Sequence, residues 1–116
     1  MKNYIKSNWS ETNQEYLDPK LSQRSFTSKN VMVVRYIYEP GLNFEEHSHP
    51  QEQVTIVQSG RLLLTIAGEK VELKGGDICS VSPNISHSSE VIGGENVEAF
   101  CIFSPISEKV IIQKSE

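Results

Sequence analysis

Residues 41–60 read GLNFEEHSHPQEQVTIVQSG, and the architecture of the whole chain can be worked out from them. The segment carries two of the chain's three histidines, His47 and His49, one residue apart. In an extended strand, residues i and i+2 point to the same face, about 6–7 Å apart along the backbone. Two imidazoles placed in this way can converge on one ion at about 2.0–2.2 Å from each nitrogen. Pro50 interrupts the extended stretch 44–49. Residues 53–58 (QVTIVQ) then read as a second strand, and Ser59-Gly60 turns the chain. By alternation Gln53, Thr55 and Val57 share one face, and Val54, Ile56 and Gln58 the other. A glutamine amide oxygen is a hard, neutral ligand, so Gln53 is a candidate to join the histidines. Glu52 competes with it but points to the opposite side. Glu45 and Glu46 are further carboxylate candidates, or else a solvated acidic edge.

The same rhythm extends in both directions. Residues 31–38 (VMVVRYIY) are rich in β-branched and aromatic side chains and form a strand, ended by Glu39-Pro40-Gly41. Downstream, 61–67 pairs back as a hairpin and 70–73 is a short strand. Lys74-Gly75-Gly76-Asp77 turns the chain into 78–82, which stops at Pro83-Asn84. The strands 87–92 and 97–104 flank Gly93-Gly94-Glu95-Asn96. Strands recurring about every ten residues with Gly, Pro and Asn between them suggest a sandwich or barrel. Leu62-Leu63-Leu64 is apolar on both faces, as in a double-layer barrel with a covered outer side. No segment holds a helical period. The chain is therefore expected to be all-β, with the barrel over 31–104. Residues 1–30 are expected to form an arm that packs, through Trp9, Tyr16 and Leu17, on the barrel or on a dimer partner. Residues 105–116 are expected to be a tail containing Val110-Ile111-Ile112.

Composition narrows the function. The chain has 116 residues, enough for one domain, and a net charge of −4. Residues 31–104 carry four basic against ten acidic side chains. An acidic body argues against a nucleic-acid partner, which needs clustered Lys and Arg. No stretch approaches the ~20 apolar residues of a membrane span, and Met1 to Ser10 has no apolar run, so a cytoplasmic location is expected. Two cysteines, Cys79 and Cys101, are too few for a disulfide scaffold. Apolar residues are only 37% of the chain, and a small domain of this kind gains burial by forming a homodimer.

The third histidine, His87, follows the Pro83-Asn84 turn. Together these residues resemble the cupin superfamily. Its first motif, Gly, five residues, His-x-His, three or four residues, Glu, six residues, Gly, is matched from Gly41 to Gly60, with Gln53 in place of Glu. Its second motif, Gly, five residues, Pro-x-Gly, two residues, His, is matched from Gly76 to His87, with Ser82 for Pro and Asn84 for Gly. Asn tolerates the left-handed turn conformation that the Gly would supply. Val91 stands where the motif's trailing Asn would be. The resemblance implies a cupin-type double-stranded β-helix, a jelly-roll barrel with a metal pocket at its mouth. Within the superfamily the chain resembles the small pectin-degradation cupins, which linearise unsaturated galacturonate. This likeness implies that His47, His49, Gln53 and His87 hold one divalent metal ion. The acidic catalytic residue of that family aligns with Cys101, an Arg aligns near Ser107, and the phenyl group is kept at Phe103.

Three imidazoles and an amide leave such an ion its full charge, as a Lewis acid for isomerase, lyase or cyclase chemistry on a sugar acid or keto-acid. The same set could hold iron for a dioxygenase, and the chain could also bind a small molecule without turnover. Zinc, nickel, manganese and iron all suit these ligands. Cys101 is the candidate catalytic base, with a buried packing role as its alternative. Thr55 and Phe103 are expected on the substrate pocket wall. Arg35 and Arg61 could reach a carboxylate, or else are surface charges.

Overall fold

The alternation of residues 31–104 becomes strands almost residue for residue in the computed structural model, which describes residues 3–106 and 113–114. The strands are β1 (Glu15–Asp18), β2 (Leu21–Thr27), β3 (Met32–Tyr38), β4 (Asn43–Ser48), β5 (Glu52–Ser59), β6 (Arg61–Ile66), β7 (Glu69–Lys74), β8 (Ile78–Val81), β9 (His87–Val91), β10 (Val97–Ser104) and β11 (Gln113–Lys114). They form two antiparallel sheets, one ordered β1-β2-β3-β10-β5-β8 and the other β11-β4-β9-β6-β7. This is the double-layered jelly roll expected from the sequence. Among the described residues no helix is long and apolar enough to cross a membrane.

The inward faces follow the period of two. On β10, Val97, Ala99, Cys101 and Phe103 are buried, and their neighbours Glu98, Phe100 and Ile102 are half-buried on the outer face. On β5 the buried set is Gln53, Thr55 and Val57. The register aligns these sets, with Phe103 opposite Gln53, Cys101 opposite Thr55 and Ala99 opposite Val57. Polar and apolar layers therefore stack along the barrel interior. The turn between β5 and β6 requires glycine at position 60. Its φ is +86°, and a Cβ there would lie 2.5 Å from the Asn96 carbonyl oxygen.

The sheet starts earlier than the sequence pattern indicated. Residues 15–27, read as part of an arm, form β1 and β2, and β2 pairs along its whole length with β3. Its sequence, LSQRSFT, lacks apolar alternation. Its strand conformation comes from backbone pairing at the β3 edge, which outweighs local preference. Ahead of it, Trp9 lies against Phe100 on the outer face, with ring centroids 6.1 Å apart. Arg24 fixes the same segment, its guanidinium donating to the carbonyls of Trp9 and Thr12. The apolar run 110–112 lies outside the described residues.

Candidate metal centre

His47 sits near the end of β4, directly across from His87 at the start of β9. The register between the two strands shifts between Phe44 and His47. A bulge of this kind re-aims side chains, and here it brings His47 over His87, with ring centroids 4.3 Å apart. His49 lies 5.0 Å from His87 and 6.0 Å from His47 by the same measure. The turn that precedes β9 is bound to the His-x-His segment by the Asn84 N–H, which donates to the His49 carbonyl at 2.9 Å. Asn84 adopts φ 63°, the left-handed conformation expected at this position.

Each ring is held by a backbone carbonyl two residues away. The Nδ1 atoms of His47, His49 and His87 lie 2.9, 3.0 and 2.9 Å from the carbonyl oxygens of Glu45, Gln51 and Ile85. A carbonyl can only accept, so each Nδ1 carries the proton and each Nε2 carries a lone pair. One potential ligand atom from each of the three lies within 4.8 Å of the others. His87 Nε2 is buried with no hydrogen-bond partner among the described residues. Burial lowers the pKa of His47 to about 4, and burial also lowers that of His87. The His47 and His87 rings are therefore free bases at neutral pH.

Gln53 completes the group. Its Oε1 lies 3.0 Å from His49 Nε2, while its Nε2 donates to Thr55 Oγ1 at 2.9 Å. With the amide in this orientation, two acceptors face each other at hydrogen-bond distance. A cation shared between them resolves the conflict, and so does rotation of the amide by half a turn. The same cation would satisfy the lone pair on His87. The donor set therefore fits a divalent metal ion.

The walls are neutral. Phe103 lines the cavity, its ring 5.4 Å from that of His49. Thr55 is not on the wall: its hydroxyl is engaged by Gln53 and by Cys101 Sγ, 3.4 Å away. Cys101 is on the wall, but burial pushes its thiol up to about 12, opposed in part by hydrogen bonds from Thr55 and Tyr38. It is thus held as a neutral thiol, which disfavours the role of base expected for it. Tyr36 and Tyr38 also line the cavity, both raised well above the usual phenol range by burial. Their spacing of two on β3 already put them on one face, but nothing in the sequence linked that face to the histidines. Among the described residues no Asp, Glu, Lys or Arg lines the cavity. Glu45, Glu46 and Glu52 are exposed, and Glu46 accepts from Ser86. Arg35 pairs with Glu98 at 3.0 Å, and Arg61 with Glu72 at 2.9 Å, both away from the site.

The chain belongs to the cupin domain family, whose model matches residues 34–103. Among solved structures it is similar to an RmlC-like cupin from Shewanella frigidimarina, at 22% identity and a TM-score of 0.79, covering 93% of this chain and 95% of that one. It is also similar to KdgF from a Halomonas species, at 20% identity and a TM-score of 0.76, covering 85% and 93%. A third similar structure is an oxalate decarboxylase of Bacillus subtilis described for its Mn(II) centres. It shows 23% identity and a TM-score of 0.79, covering 96% of this chain but only 33% of that longer one. These likenesses support the fold.

Proposed function

We propose that His47, His49, His87 and Gln53 hold one divalent metal ion, and that the site acts on a small anionic, oxygen-rich molecule such as a sugar acid or keto-acid. The observation that carries this reading is the set of inward lone pairs in a cavity without a carboxylate. A bound divalent ion would supply Lewis-acid polarisation of a carbonyl or hydroxyl, suited to isomerase, lyase or cyclase chemistry. Four neutral ligands leave the ion's charge uncompensated in a low-dielectric pocket, so the favoured ligand brings its own negative charge. Thr55 orients the Gln53 amide so that its oxygen faces the imidazoles. Tyr38 and Cys101 keep their protons and can donate hydrogen bonds to a substrate oxygen. Phe103 and Leu64 keep water from the site. Oxalate decarboxylase, which has a similar fold, carries a name that fits a small-acid substrate.

The metal in the purified protein should be measured first, followed by turnover of a library of uronates, hydroxy acids and keto-acids with and without chelator. Stoichiometric metal with chelator-sensitive turnover is the expected result. Stoichiometric metal without turnover would leave a binding protein, and oxygen uptake by the iron form would point to a dioxygenase. Absence of metal after reconstitution would overturn the assignment. We also infer a homodimer. On the outer face of the six-stranded sheet Val54, Ile56, Phe100 and Ile102 are half-buried, and Ile78 at the edge is 67% exposed. Sedimentation giving a 13.1 kDa species at micromolar concentration would count against it.

A further inference from the structure

Among the residues that line the cavity containing the imidazoles, one is exposed. Leu17 is 36% exposed, whereas no other lining residue exceeds 9%. Leu17 belongs to β1, the outermost strand of its sheet, where the pairing with β2 shifts register between Tyr16 and Asp18. Bulges at sheet edges commonly turn a side chain out of the regular alternation. Here that side chain lines the cavity.

The free volume beneath it is about 30 Å³, room for about one or two water molecules. A sugar acid or keto-acid does not fit this space, so part of the wall has to move. Leu21, Leu64 and Phe103 cannot move cheaply, because each is 2% exposed and built into the core. β1 is different. Among the described residues it pairs on one side only, through Glu15 with Gln23, Tyr16 with Ser22 and Asp18 with Leu21. Three of its four residues are exposed. The chain is fixed on either side of it, by Trp9 and Arg24 before and by the full β2–β3 pairing after. A strand with solvent-exposed hydrogen bonds and little buried area opens at low free energy.

The geometry points to β1 as a gate over the metal cavity, with Leu17 as the residue that determines which ligands reach the imidazoles. This inference rests on the metal-site reading above and extends it to substrate selection. When β1 lifts, a hydroxy- or keto-acid can pass. When it closes, Leu17 covers the bound molecule and excludes water.

The test uses full-length protein loaded with cobalt(II), whose visible absorption changes when a ligand binds. Formate serves as the small probe and tartrate as the large one, mixed rapidly with wild type, Leu17→Ala and Leu17→Trp. Because Leu17 is partly exposed, both variants should fold, which circular dichroism checks. The expected result is tartrate binding about tenfold faster in Leu17→Ala and slower in Leu17→Trp, with formate changed by less than about twofold. Equal tartrate rates in all three proteins would overturn the gate. If wild type fails to bind cobalt, the metal reading falls, and the gate is judged by hydrogen exchange of the metal-free protein. Exchange in residues 15–18 about tenfold faster than in β3 supports it, and equal protection overturns it.

Discussion

The two ends of the barrel interior are built from opposite materials. At one end, level with Phe103 on β10 and Ile66 on β6, the buried groups are imidazoles and an amide. At the other, level with Val97 and Leu62, they are Val57, Leu62, Leu73 and Val97, each at most 4% exposed. The apolar end contributes stability through burial and close packing. The polar end does the reverse, because burying a lone pair without a partner, as at His87 Nε2, costs about 1–3 kcal/mol. The cupin domain thus concentrates its stability at one end and leaves the other free to hold an energetically unfavourable constellation. Substitutions at the two ends should separate metal binding from stability.

The largest effect is expected from His87→Ala. It should abolish stoichiometric metal binding, since the remaining ligands cannot restore the coordination. The metal-free variant should melt no lower than metal-free wild type. A variant that keeps full metal content would show that the ion is held elsewhere. Leu62→Ala, at the opposite end, should do the converse. It should destabilise the protein by about 2–5 kcal/mol in denaturant titration, while the folded fraction keeps its metal.

Thr55→Val tests whether the hydrogen bond beneath Gln53 matters to the site. Loss of the group that orients a ligand typically weakens metal binding by about 10–100-fold, and competition with a chelator would measure this. Unchanged affinity would mean that the Thr55 hydrogen bond does not position a ligand.

The smallest effect concerns pH in the metal-free protein. The unfolded chain takes up protons at its histidines near pH 6.5, whereas folded His47 does so only near 4, because burial lowers it. His87 is shifted in the same direction. Between these values the unfolded state binds more protons, so stability should fall as pH drops from about 6.5 towards 4. His47→Gln should flatten that slope. A slope unchanged by this substitution would place the acid sensitivity outside the polar end.

Sequence and structure agree most closely where side-chain alternation and backbone pairing demand the same register. β3, β5, β6 and β10 meet that condition. β5 and β10, for example, bury every second residue, and that period is visible in the sequence as written. β2 does not meet it, because its residues are mostly polar and only the β3 edge makes it a strand. Within the site, the clustering of the three histidines was legible because spacing and residue type express it. The protonated Nδ1 atoms were not, since they depend on carbonyl directions in neighbouring turns. Thr55 was correctly placed on the inward face of β5, but alternation cannot tell a wall residue from one lying behind the wall. Leu17 was hidden for a related reason, because a bulge breaks the count by which facing residues are found.

The carbonyl bonds to the three Nδ1 atoms carry a consequence for metal supply. They set the ring orientation and the tautomer from the backbone, and the Asn84–His49 link joins the two halves of the site. A coordination sphere assembled before its ion arrives loses little conformational freedom on loading. It also does little to discriminate by shape among ions of similar radius. Intrinsic affinity for nitrogen ligands then rises from manganese through iron to nickel. If the proposed ion binds, its identity would follow the free-metal pool of the compartment in which the chain is made, and recombinant protein should carry the metal of its growth medium.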